Sequence, residues 1–134
     1  MKKKKFGFEE AIRRACDGLQ FPSETEAEIV PFMGGKVVGT TREALLKEIT
    51  PVEKKKIEER PFIEFFTKLS GTREWFTPAD TERSNRFIQL QKVLEESLED
   101  LIVLRVGRIQ IDIYIVGRDR GGNMAGVTTR AVET

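Results

Sequence analysis

Residues 109–116 read Ile-Gln-Ile-Asp-Ile-Tyr-Ile-Val. Isoleucine at 109, 111, 113 and 115 puts a β-branched side chain on one face of an extended chain at every second residue. A helix would scatter these four around its circumference, so a strand with one face on a core is predicted. Its neighbours extend the pattern. Residues 101–106 form an apolar run, and Gly107-Arg108 makes a tight connection. Residues 117–123 read as a loop and residues 124–132 as a further strand. Connections this short imply antiparallel pairing.

The rest of the chain alternates between helical and extended signals. Phe8, Ile12, Cys16 and Leu19 fall at helical spacing, which predicts a helix over 9–17 ended by Gly18. Residues 27–33 have strand content, with Pro31 demoting them to an edge. Gly34-Gly35 reads as a turn, and Val37-Val38 as the start of a second strand. Thr40 and Glu43 have capping-box spacing before a short helix over 41–49, which Pro51 stops. Residues 52–60 are charged and ambiguous, readable as a strand with a solvent-facing edge. Phe62, Phe65, Phe66 and Leu69 make the core face of another helix. Asp80 is the expected cap of a helix over 81–98, whose stripe is Phe87, Leu90, Leu94, Leu98 and Leu101. Three or four helices and about five strands give an α+β class with a mostly antiparallel sheet. At 134 residues a single domain, 1–134, is expected, and no internal repeat is visible.

Composition narrows the chemistry. The chain has no histidine. It therefore cannot build a Ser-His-Asp or Cys-His site, or a zinc site with imidazole ligands. Glu, Lys or Tyr remain available as bases, so catalysis is disfavoured without being excluded. The balance of 23 Lys plus Arg against 22 Asp plus Glu, a net +1, points neither to a nucleic-acid binder by bulk charge nor to an acidic decoy of DNA. The one cysteine, Cys16, forbids an internal disulfide and fits a reducing compartment. Lys2-Lys-Lys-Lys5 looks like the basic start of a signal peptide, but no apolar stretch follows it. A solvated terminus is the plainer reading of that run, and a nucleic-acid tail is weakly supported by four charges. No segment approaches about 20 apolar residues, so no membrane helix is expected and the cytoplasm is the expected location.

Few local patterns carry chemistry. The glycine-rich 117–123 loop leads into a strand instead of a helix amino terminus, which favours a hairpin over a phosphate cradle. Glu24, Glu26 and Glu28 alternate after Pro22-Ser23. Surface solubility is the ordinary reading of three such glutamates, though the loop leaves Glu24 exposed to a partner. No calcium loop is present. Trp75, the only tryptophan, reads equally as partly buried core or as an interface anchor. Glu133 places a carboxylate beside the terminal one at Thr134, either without role or as an oxygen-rich tip able to reach a cation.

Three stretches resemble the nuclease A inhibitor family of bacterial proteins. The first is Ala15-Cys-Asp-Gly-Leu-Gln-Phe-Pro-Ser-Glu-Thr-Glu26 and the second runs through Phe65-Phe66 and Trp75. The third and most specific covers residues 104–134, with Ile111-Asp-Ile-Tyr-Ile-Val-Gly117, Gly122-Asn-Met-Ala-Gly-Val-Thr128 and Val132-Glu-Thr134. The likeness is weak over 27–61. Arg73-Glu74 and the Arg118-Asp-Arg120 loop depart from the family pattern.

The resemblance implies a three-layer α/β/α sandwich that binds, 1:1, a sugar-non-specific ββα-metal nuclease carrying one magnesium or manganese ion. The inhibitor itself would be monomeric when free. It would be no enzyme and would need no cofactor, no metal of its own, no direct nucleic-acid contact and no membrane. Glu24 matches the family's glutamate at the nuclease's metal centre, with Ser23 beside it. Trp75 matches its exposed tryptophan, and Thr134, next to Glu133, matches its terminal threonine. These five, Ser23, Glu24, Trp75, Glu133 and Thr134, are the expected partner-binding residues. The alternative is a non-enzymatic binding module of the same fold with a different protein partner.

Overall fold

The computed structural model describes residues 2–24, 26–49 and 56–133, with side chains from Phe8 onward. Four helices and seven strands follow one another as α1 (Lys2–Cys16), β1 (Gln20–Phe21), β2 (Ala27–Glu28), β3 (Val30–Lys36), α2 (Thr41–Ile49), β4 (Ile57–Arg60), α3 (Phe62–Ser70), α4 (Pro78–Ser97), β5 (Glu99–Val106), β6 (Gln110–Arg118) and β7 (Asn123–Val132). Five strands make one antiparallel sheet in the order β3-β7-β6-β5-β4, and β1 pairs with β2 in a two-stranded ribbon. The mixed α+β class with an antiparallel sheet is as expected.

The isoleucine strand is the middle of that sheet. Ile111, Ile113 and Ile115 are buried as the period of two requires. Ile109 is not their companion. It precedes β6 in the connection after β5 and is 58% exposed, because the chain has not yet entered the ladder there. Alternation divides the apolar side chains of the sheet between two clusters. Val103, Ile111, Ile113, Ile115, Ala125, Val127 and Ala131 join Ile12 of α1, Phe66 of α3 and Phe87, Leu90 and Leu94 of α4. Ile102, Leu104, Val106, Val116 and Met124 join Leu45 of α2. The small residues of β7 allow close approach: a Cβ on Gly126 would overlap the Ile115 carbonyl oxygen.

Helix ends are set by short-range hydrogen bonds. Thr40 Oγ1 accepts from Glu43 N–H at 3.1 Å while Glu43 accepts from Thr40 N–H at 3.0 Å. Asp100 adds a bond from Thr41 N–H to its carboxylate at 2.8 Å. Helix α4 is capped by Thr77, with Pro78 next and Asp80 closing the box; the N–H of Asp80 donates to Thr77 Oγ1 at 3.1 Å. Asp80 is thus the third helical residue and not the cap, and the helix starts earlier than predicted. Helix α1 also starts earlier, at Lys2, since its backbone continues through residues that add no strong apolar period. At its other end Arg86 of α4 donates to the carbonyls of Ala15 at 3.1 Å and Asp17 at 2.6 Å.

Glycines 34 and 35 form no turn. They lie inside β3, where the register with β7 shifts between Met33 and Lys36, so the extra residue is absorbed as a bulge. Val37-Val38 consequently starts no strand and sits in the passage to α2. Pro31 is on an edge strand as predicted. β4 is the other edge, covering the later part of the ambiguous 52–60 segment; Pro51 lies outside the described residues.

Candidate partner-binding surface

The turn after β1 hangs on the end of β7. Val132 N–H donates to Ser23 Oγ at 3.2 Å, and Glu24 N–H donates to the Val132 carbonyl at 3.4 Å. One residue on, Glu133 N–H donates to the Ile109 carbonyl at 2.9 Å, extending the ladder just past the strand. Ser23, Glu24 and Glu133, which are over a hundred residues apart in part, therefore meet at one end of the sheet. Glu24 is exposed, as its loop setting predicts. Thr134 lies outside the described residues.

Glu133 is held by its side chain as well. Arg105 Nη2 donates to its Oε1 at 2.7 Å. The Arg105 side chain is only 13% exposed, and its Nε is 3.9 Å from Glu58. Glu58 also pairs with Arg60 at 3.1 Å and Lys56 at 3.6 Å. The hydrogen bond from Arg60 is the chief reason its carboxyl sits below the usual glutamate range. The Glu133 carboxylate is thus part of a charge network that reaches Glu58 of β4 through Arg105. Arg105 carried no sequence signal, because its partner is distant in the chain and its place in an apolar strand looks like an ordinary interruption.

Trp75 is on the connection between α3 and α4. It is 76% exposed and meets Phe76 edge-on at 6.5 Å, so the core reading of this tryptophan does not hold. The same end of α4 is tied to the turn carrying Glu24. Arg83 pairs with Glu26 at 3.1 Å and with Asp80 at 3.5 Å, and Asp80 closes the capping box with Thr77, the residue after Phe76. Arg83 is a second residue the sequence reading passed over.

The remaining candidates resolve simply. Asp119 accepts from the N–H groups of Gly121 at 2.8 Å and Asn123 at 2.9 Å, so the glycine-rich loop is a hairpin turn between β6 and β7. Cys16 is buried, its thiol donates to the Ile12 carbonyl at 3.0 Å, and burial pushes its pKa up. Among the described residues no three of His, Cys, Asp and Glu stand together as metal ligands, and no helix is long and apolar enough to cross a membrane. A shallow groove of about 470 Å³ runs over β3, β7 and β6 beside Phe32, Tyr114 and the Asp112–Arg130 pair.

Comparison with known proteins gives one family. The model for nuclease A inhibitor-like proteins matches residues 7–134, nearly the whole chain. No curated protein matches it.

Proposed function

Because the chain belongs to the nuclease A inhibitor-like family, we propose that it inhibits a metal-dependent, sugar-non-specific endonuclease of the ββα-metal class by occupying its active site as a 1:1 complex. The family match carries this reading. Glu24 is the central contact. Its carboxylate oxygens approach the nuclease's magnesium, directly or through water, where a phosphate oxygen of the substrate would otherwise sit; magnesium favours such hard oxygen donors. Thr134 supplies a second oxygen, and Ser23 and Glu133 frame the same end. Trp75 anchors the rim, since a large exposed ring that loses water on docking is a common hot spot. The inhibitor blocks substrate without any net negative charge, consistent with the +1 balance. It performs no chemistry of its own, works in the cytoplasm of a bacterial cell and folds as one domain.

The test is a titration of the protein against such a nuclease with magnesium and plasmid DNA. Cleavage should fall to zero at one equivalent and stay there when magnesium is raised, which separates inhibition from chelation. Glu24→Ala and Trp75→Ala should each weaken inhibition by about tenfold to a hundredfold or more, the range of interface hot spots. Removal of Thr134 should weaken it too. Undiminished cleavage at every ratio would refute the reading. Full inhibition by all three variants would move the contact surface elsewhere.

A further inference from the structure

Arg105 of β5 and Glu133, just past the end of β7, lie 28 residues apart with β6 between the two strands, yet their side chains meet at 2.7 Å. The two ends differ in setting: the arginine side chain is 13% exposed and the glutamate side chain 50%. A guanidinium that cannot lose its proton needs a carboxylate close by when it leaves water. Glu58 stands at 3.9 Å, and the arginine Nε is buried without a hydrogen-bond partner. Glu133 therefore supplies the one short charge-assisted bond recorded for Arg105 among the described residues. The main chain is fixed at the same place by the bonds of Val132 to Ser23 and Glu24 and of Glu133 to Ile109.

We propose that Arg105 is a positioning residue for the inhibitory surface: by gripping the Glu133 carboxylate it fixes the end of β7, on which the Ser23-Glu24 turn hangs. Glu133 then acts as an anchor and not as a contact. The proposal rests on the reading that Glu24 and Thr134 touch the nuclease. It adds that the presentation of Glu24 is controlled from β5, a strand that carries none of the proposed contacts.

The experiment compares the parent protein with Arg105→Met, Glu133→Gln, the double variant and Arg105→Lys. Amide hydrogen exchange is read at Glu24 and Glu133, with Ile113 in the sheet centre as reference, and inhibition is titrated in parallel. Either single change should speed exchange at Glu24 and Glu133 about tenfold while Ile113 keeps its rate, and should raise the inhibition constant by a similar factor. The double variant should be no worse than the worse single one, and Arg105→Lys should fall between parent and Arg105→Met. A purely structural role would instead speed exchange at Ile113 as well. Unchanged exchange at Glu24 and Glu133 overturns the clamp. Faster exchange there with undiminished inhibition overturns its part in presentation. If the parent inhibits no nuclease, it is the proposed function that fails, and the exchange rates alone uphold or overturn the clamp.

Discussion

At the scale of single residues, close approach is the strictest demand the fold makes. Gly126 sits opposite Val116 in the β6–β7 ladder, and the neighbouring Ile115 carbonyl oxygen occupies the space a Cβ would need. Gly126→Ala should therefore destabilise the protein by about 1–3 kcal/mol, the usual cost of forcing extra volume into a packed site. A denaturant titration checks it: an unshifted midpoint would mean that the two strands can part without penalty. Ala125 and Ala131 flank this line on the opposite face and are fully buried, so β7 is thin there on the side that receives α1, α3 and α4. Sequence alone reads Gly126 as one more residue of a strand, since what excludes a side chain there belongs to a different strand.

Helices α2 and α4 are held at their beginnings by carboxylates. Glu43 and Asp80 each accept from the backbone N–H of their cap residue, and this bond is the largest reason that both titrate below their ordinary values of 4.5 and 3.8. A depressed folded-state pKa means that the ionised form is favoured by folding. The stabilisation is complete above the ordinary pKa and is lost as pH falls through the lowered one. Thermal unfolding should thus show a stability loss setting in below about pH 4.5, and the Glu43→Gln, Asp80→Asn double variant should show a shallower loss there. Equal acid sensitivity in parent and variant would remove the caps from the account.

What was legible at this scale divides by range. The capped helices, the central strand and the edge role of Pro31 follow from spacings within a few residues. The two-residue pairing of β1 with β2, the bulge at Gly34-Gly35 and the exclusion of Ile109 from β6 do not, because each depends on which chain lies alongside. The candidate surface divides in the same way. Exposure of Glu24 followed from its loop, whereas the grip of Arg105 on Glu133 and of Arg83 on Glu26 joins distant segments and has no local pattern.

Over the whole molecule, the order of strands in space inverts their order in the chain. The edge strands β3 and β4 precede the β5-β6-β7 meander that makes the middle of the sheet. An edge has nothing to pair with until the middle exists. On a ribosome, α1, α2 and α3 emerge with their apolar faces uncovered and wait for residues 99–132. Nascent chains halted before β6 should accordingly remain open to protease, and those carrying β7 free of the exit tunnel should resist it, in a single step. The turn bearing Glu24, made early, gains its support from Val132 only when that step is complete. On the proposed reading of Glu24 as the contact, a half-made copy cannot engage a nuclease, and competence to bind arrives together with resistance to degradation.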